Sequence, residues 1–240
     1  MVKDTKPSKR VRKLLRDQER LLRRISYRGF GQIPGFDYIY TSYNSIGGGT
    51  CDNTGWASDQ LALTLVMSDS PLVHEIMKSR KRDPEKFDPE PLVKAKILKG
   101  MKILDLGCGW IPAFARCTRA LGADTYTVDV IPANRFSYWR DKVFEDSGYK
   151  IDKNHQERKK LDAEKHVKVN LKNKKALDII LQATHGNFDL VTSAHMEDSG
   201  LYRGRFYMPP DNIDGIVFAL LKPKGLYYKR ELSGGLFEKD

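Results

Sequence analysis

Short apolar runs alternate with amphipathic stretches over the second half of this 240-residue chain. Ile103 to Leu106 is apolar and ends in the tight turn Gly107-Cys108-Gly109. Ala113 to Leu121 then shows a helix-like pattern, and Asp124 to Val128 alternates as a strand does, ending in Asp129. This order predicts a strand, a glycine turn, a helix and a second strand.

The same alternation continues towards the C-terminus. It predicts strands at 166–170, 188–193 and 226–231 and helices at 133–145, 175–184 and 209–221, with a polar, exposed stretch at 148–165. We therefore expect an α/β fold with a Rossmann-like, doubly wound, mostly parallel sheet in the order 3-2-1-4-5. Only nine residues follow Glu231. We expect a sheet shortened at its C-terminus, or a fifth strand covered by the N-terminal segment or by a second chain in a homodimer.

The first 25 residues combine an apolar stripe with many cations. Apolar residues recur at helical spacing from residue 8 to residue 25, which predicts an amphipathic helix. Residues 1–24 hold ten Lys or Arg and three acids, which is +7 of the chain's net charge of +11. The helix either docks on the core with a solvated basic face or contacts nucleic acid or an acidic membrane. We favour docking and expect deletion of residues 1–24 to lower the melting temperature.

Residues 26–58 combine aromatic side chains, among them Tyr43 and Trp56, with seven glycines. Such a segment suits a substrate pocket or a lid, and it equally suits a loop strapped across the core. As a lid, residues 27–58 are expected beside Trp110 and His195. Residues 59–67 could form a helix or a buried strand, and helices are predicted at 71–80 and 92–98. We divide the chain into an N-terminal extension, 1–87, and a core, 88–240.

Composition restricts the environment. No apolar run approaches the ~20 residues that cross a bilayer. The three cysteines have no CxxC spacing, which favours reduced thiols in a cytoplasmic setting and no metal site.

Three segments, in this order, resemble motifs of the class I S-adenosylmethionine-dependent methyltransferases. They are Ile103-Leu-Asp-Leu-Gly-Cys-Gly109, Asn187-Phe-Asp-Leu-Val-Thr-Ser193 and Leu220-Leu-Lys-Pro-Lys-Gly-Leu-Tyr227. The resemblance covers about residues 88–231 and implies S-adenosyl-L-methionine as the cofactor. The third glycine of a dinucleotide fingerprint is absent, which also favours a mononucleoside cofactor.

The resemblance implies a cofactor site built at the carboxyl ends of the strands. Its residues are Asp105, Gly107, Cys108, Gly109, Trp110, Asp129, Val130, Ile131, Asn170 and Ser193. Asp105 corresponds to the acid that helps to hold the methionine end, and Asp129 to the acid that binds the ribose hydroxyls. Asn170 stands where many relatives have an adenine-binding aspartate. Trp110 either caps the methionine end or packs beneath the turn.

Catalytic and acceptor-binding candidates follow the fourth strand. His195 is a possible general base, or it hydrogen-bonds a neighbouring loop. Tyr202, Arg203 and Arg205 could grip an anionic acceptor together with Tyr43 and Trp56, because arginine fits carboxylate and phosphate groups bidentately.

The sequence thus predicts a methyltransferase that acts on a small-molecule acceptor. An RNA methyltransferase that uses the basic N-terminus is the first alternative. A non-catalytic binding module that keeps the fold is the second.

Overall fold

The computed structural model describes residues 7–35, 53–79, 87–109, 112–135, 154–193, 213–229 and 235–240. Its centre is a six-stranded sheet in the order β3-β2-β1-β4-β5-β6. The strands are β1 (Lys102–Leu106), β2 (Asp124–Asp129), β3 (His166–Lys168), β4 (Phe188–Thr192), β5 (Leu221–Lys229) and β6 (Gly235–Glu238). Neighbours among β1 to β5 run parallel, and β6 runs antiparallel to β5. The predicted α/β class with a mostly parallel sheet is confirmed.

The C-terminal end of the sheet differs from the prediction. β6 pairs with β5 from Leu226↔Glu238 to Lys229↔Gly235, so the sheet has a sixth strand beyond the five that the sequence predicted, and this strand covers the edge of β5. Four extended residues, about 13 Å of chain, are enough to pair with part of β5. The predicted dimer contact through an open β5 edge therefore loses its basis.

Helices pack on both faces of this sheet. They are α1 (Lys9–Leu22), α2 (Tyr27–Phe30), α3 (Asn53–Met67), α4 (Pro71–Lys78), α5 (Glu90–Lys94), α6 (Ala113–Ala120), α7 (Asn154–Glu164), α8 (Ala176–Thr184) and α9 (Ile213–Leu220). The ambiguous run at 59–67 belongs to α3. The helix predicted at 133–145 begins as a 3-10 turn, Ala133–Arg135, and its remainder lies outside the described residues. Across these described ranges, no helix combines the length and apolar character needed to cross a bilayer.

Strand alternation divides the apolar side chains between two cores. Ile103 and Leu190 point to a core shared with α1, α3, α4 and α6, whereas Leu104 and Val191 point to a core shared with α8 and α9. The described parts of the predicted extension therefore pack on the sheet through the first of these cores.

The N-terminal helix α1 is docked along α3. Ser8 caps it by accepting a hydrogen bond from the Val11 amide at 3.1 Å. Val11, Leu14 and Leu21 are buried, and Gln18 Nε2 donates to the Asp59 carbonyl of α3 at 2.8 Å. Each buried apolar side chain contributes about 1.5–3 kcal/mol. The apolar side of the basic helix is therefore docked on the core, as the sequence favoured.

The start of α1 also holds the last strand. Ser8 Oγ and Arg10 Nη1 donate to the Glu238 carboxylate of β6 at 2.8 and 2.6 Å. These bonds, with the Arg10 charge, lower the pKa of Glu238, although its partial burial acts in the opposite direction. The amino end of α1 therefore lies beside the edge of the sheet where β1, β4 and β5 begin.

Candidate functional site

Asp129, at the carboxyl end of β2, joins two loops. Its Oδ2 accepts a hydrogen bond from the Gly109 amide at 2.9 Å, and its Oδ1 accepts from the Ile131 amide at 3.0 Å. In the same turn, the Gly107 amide donates to the Val128 carbonyl of β2 at 2.8 Å. The glycine turn after β1 and the loop after β2 are thus fixed against each other by a single carboxylate.

Among the described residues, the turn beside Asp129 leaves room for a ligand. Gly109 has φ +66°, and no atom of the described residues lies within 4 Å of the position that a Cβ would take there. A carboxylate offers about four acceptor sites, of which the two loops use two. Val130 beside it is 42% exposed and, among the described residues, only it and Leu161 are large exposed hydrophobic side chains. An acid with spare acceptor sites thus adjoins an apolar surface.

Asp105, in β1, is a carboxyl group enclosed by protein. It is 1% exposed, and its Oδ1 accepts a hydrogen bond from Thr192 Oγ1 at 2.9 Å. Burial raises its pKa to about 7, the Asp129 charge adds to the rise, and the Thr192 bond and the Arg119 charge oppose it. A buried carboxylate of this kind is stabilised when a cation binds beside it.

Sequence reasoning missed Gln60, which extends from α3 towards the same place. It is fully buried, and it lies close enough to Asp105 to lower the pKa of that carboxyl group. Yet neither its amide nitrogen nor its amide oxygen makes a hydrogen bond of good geometry with the described residues. Buried amides normally find partners. The helix α3 is buried on almost all sides, and a polar residue in such a helix is the signal that could have identified Gln60.

The Cys108 thiol belongs to the turn. It is 4% exposed, and burial, followed by the charges of Asp129 and Asp105, raises its pKa well above the usual range. A thiol that stays protonated is a poor nucleophile. Cys108 is therefore packed in the predicted site as a small apolar side chain.

Ser193 and Asn170 are engaged locally. Ser193 is 1% exposed, and its hydroxyl shares a hydrogen bond of 2.8 Å with the Tyr227 hydroxyl. The exposed Asn170 accepts from the Lys172 amide at 2.9 Å, and the Val169 amide donates to the Asp129 carbonyl at 3.0 Å. Asn170 thus follows the end of β3, which is held beside Asp129. One lone pair of its side-chain oxygen and its NH2 group remain available to a ligand.

His166, at the start of β3, supports the loop after Asp129. Its ring nitrogens lie 2.9 Å from Thr127 Oγ1 and 2.9 Å from the Ile131 carbonyl oxygen. The carbonyl can only accept, so Nε2 carries the proton and Nδ1 accepts from the threonine. Burial lowers the pKa of His166. A neutral imidazole thus fixes the backbone of Ile131.

Several predicted residues cannot be placed against this site. Tyr43, Trp110, His195, Tyr202, Arg203 and Arg205 lie outside the described residues, and the side chain of Trp56 in α3 does too. Within the described ranges, no group of three or more His, Cys, Asp or Glu side chains is arranged to hold a metal ion.

The structure brings most of the predicted cofactor residues together. Asp105, Gly107, Cys108, Gly109, Asp129, Val130 and Ile131 lie at the carboxyl ends of the adjacent strands β1 and β2. Comparison with models of known protein families and with curated protein sequences finds no match.

Proposed function

We propose that this protein is an S-adenosylmethionine-dependent methyltransferase. The observation that carries the proposal is the Asp129 carboxylate, which holds the glycine turn with one oxygen and the next loop with the other and still has acceptor sites that neither loop uses. Ligands of open α/β sheets bind at this edge, outside the carboxyl ends of the strands.

The chemistry of the residues fits the proposed cofactor. Asp129 can accept hydrogen bonds from two ribose hydroxyls, and the exposed Val130 offers an apolar surface to a purine. The buried Asp105 suits the ammonium group of a methionine moiety. No described residue occupies the position of a Cβ on Gly109, so a ligand can approach the backbone closely there.

The cofactor, when bound, supplies an activated methyl group. The chain's task is to orient donor and acceptor and to remove a proton where the acceptor requires it. His195 stays the predicted base, and a small molecule stays the predicted acceptor class. A non-catalytic module would bind the same cofactor without turnover, so release of S-adenosylhomocysteine in the presence of candidate acceptors separates the two.

We expect Asp129→Asn to weaken S-adenosylmethionine binding by about 1.5–3 kcal/mol, the range for hydrogen bonds to a charged group. Asparagine keeps one acceptor oxygen for the loops, so the fold should survive. Calorimetric titration measures the effect. Asp124→Asn, an exposed change at the other end of β2, is the matched control and should leave the affinity unchanged. Equal affinity of wild type and folded Asp129→Asn would remove this carboxylate from the site.

A further inference from the structure

The solvent side of α1 carries a concentrated positive charge. Its basic face is formed by Lys9, Arg12, Lys13, Arg16, Arg20 and Arg23, opposite the side that buries Val11, Leu14, Gln18 and Leu21. Asp17 lies 3.1 Å from Lys13 and 4.0 Å from Arg20, and Glu19 lies 2.5 Å from Arg23. Lys9, Arg12 and Arg16 form no ion pair in the part of the chain that the structure describes.

The cations of this face that are unpaired within the described residues do not serve the stability of the helix. Arg12, Arg16 and Arg20 follow one another at i, i+4 spacing, where like charges destabilise a helix. A surface that only had to be soluble would intersperse both signs. The basic face extends about 21 Å from Lys9 to Arg23, at 1.5 Å per residue. Its length and charge suit an extended polyanion.

A cavity of about 470 Å³ adjoins the amino end of this face. It lies where β1, β4 and β5 begin, at the edge of the sheet opposite Asp129. Arg10, Lys99 and Lys224 supply cations to its wall, and Met67, Ile97 and Met101 supply apolar surface. Asp189 in the wall is paired with Lys222. Arg10 links α1 to the cavity by donating to the Lys224 carbonyl at 2.7 Å.

Lys224 stands in a strained backbone position. Its φ is +61°, in the left-handed region that glycine tolerates best. A lysine in this conformation reduces stability relative to glycine, so the contribution of its side chain to binding can be tested separately from folding.

We propose that the basic face of α1 and the adjoining cavity bind single-stranded RNA. The cations of α1 contact consecutive phosphates, and the cavity takes one unstacked nucleotide, with its phosphate at Lys99 and Lys224 and its base on the apolar wall. Only a single strand can place a nucleotide there, and unpaired nucleotides are what RNA loops and ends present. An anionic membrane fits less well, because an interfacial helix inserts its apolar side and α1 has buried that side in the core. RNA binding here is independent of the proposed methyl transfer, since it uses the opposite edge of the sheet.

The first test is fluorescence anisotropy of a labelled 12-nucleotide single-stranded RNA over a range of salt concentrations, without cofactor. We expect Arg12→Gln/Arg16→Gln to raise the Kd at least tenfold at low salt. The slope of log K against log salt should fall by about 1.4, because each lost phosphate contact removes about 0.7 for a single strand. The control Lys160→Gln/Lys174→Gln removes the same charge elsewhere and should leave the Kd within twofold.

The second test separates ligand binding from folding at the cavity. Lys224→Gly relieves the left-handed position, so its melting temperature should equal or exceed that of the wild type. Its RNA affinity should nevertheless fall several-fold. Unchanged RNA affinity in this variant would remove the cavity from the proposal.

Three further probes can overturn the assignment. Vesicles of phosphatidylserine and phosphatidylcholine should bind more weakly than RNA, and tighter binding would assign the face to a membrane. Single-stranded DNA of the same sequence that bound more tightly would exclude RNA as the partner. Adenosine monophosphate binding that depends on Lys224 but not on Arg12 and Arg16 would reduce the site to one for free nucleotides.

Discussion

Asp105→Asn is expected to change stability and cofactor binding in opposite directions. In the folded protein the pKa of Asp105 is raised to about 7, against 3.8 for the free side chain. Between these values the folded state holds a proton that the unfolded state has released, so this group lowers stability as the pH rises from about 4 to about 7. The full effect, up to about 4 kcal/mol, is present above pH 7. An asparagine at this position cannot ionise, so the variant does not lose this stability.

Denaturant unfolding at several pH values measures this difference. We expect Asp105→Asn to be as stable as the wild type near pH 4 and more stable by several kcal/mol at pH 8, with the difference growing across the interval. Asp124→Asn is the control, since Asp124 is exposed and pairs with Lys165 at the surface. A difference in unfolding free energy that did not depend on pH would contradict the raised pKa.

The same variant should bind the cofactor poorly. If ionised Asp105 holds the ammonium group of S-adenosylmethionine, Asp105→Asn weakens binding by about 1.5–3 kcal/mol. The wild-type affinity should rise by up to tenfold per pH unit below about pH 7 and level off above it, because only the ionised form binds the cation. The affinity of Asp105→Asn should lack this dependence. A stabilised variant with unchanged affinity would confirm the buried acid and exclude its role in binding.

The pattern around the glycine turn could be predicted because local signals agree there. The apolar run of β1, the two glycines and the alternation of β2 each favour the same chain path, and the structure has β1 at Lys102–Leu106 and β2 at Asp124–Asp129. Asp129 follows from that path, because parallel strands place their carboxyl ends at one edge of the sheet.

β6 could not be predicted with the same assurance. Gly-Leu-Phe-Glu, 235–238, is too short to show a period and begins with a residue that disfavours strands. Pairing with β5 and the contact of Glu238 with Arg10 make it a strand, and both partners are distant in sequence. Gln60 was missed for a related reason: its importance depends on Asp105, forty-five positions away.

The stretch 148–165 contains one position that hydropathy does not reveal. Residues 154–164 form α7, whose described side chains are mostly exposed, as predicted, whereas Asp162 is 1% exposed. The buried side of this helix therefore makes ionic contacts. No reading based on apolar periodicity could place it.

Asp162 is the acid between two buried arginines of α6. Arg116 donates to its Oδ2 through Nε at 2.8 Å and through Nη2 at 2.5 Å, and Arg119 Nη1 donates to its Oδ1 at 2.6 Å. All three side chains are at least nine-tenths buried. Burial lowers the pKa of Arg119, and the Asp162 charge opposes this shift. Arg119 Nε also donates to the Thr125 carbonyl of β2 at 2.8 Å, so the cluster ties α7 to α6 and to the sheet.

We expect Asp162→Ala to lower the free energy of unfolding by about 3–5 kcal/mol, because it leaves two guanidinium groups buried without their counter-ion. Chemical denaturation measures the loss, and high salt should not reproduce it in the wild type, since the pair is shielded from solvent. Glu164→Ala, two residues along α7, removes an exposed carboxylate 4.0 Å from Lys160 and should stay within about 0.5 kcal/mol. Adding Arg116→Met to Asp162→Ala should recover part of the loss, because one unpaired charge then disappears. A loss below about 1 kcal/mol for Asp162→Ala would mean that solvent reaches the arginines and that α7 is not fixed by this cluster.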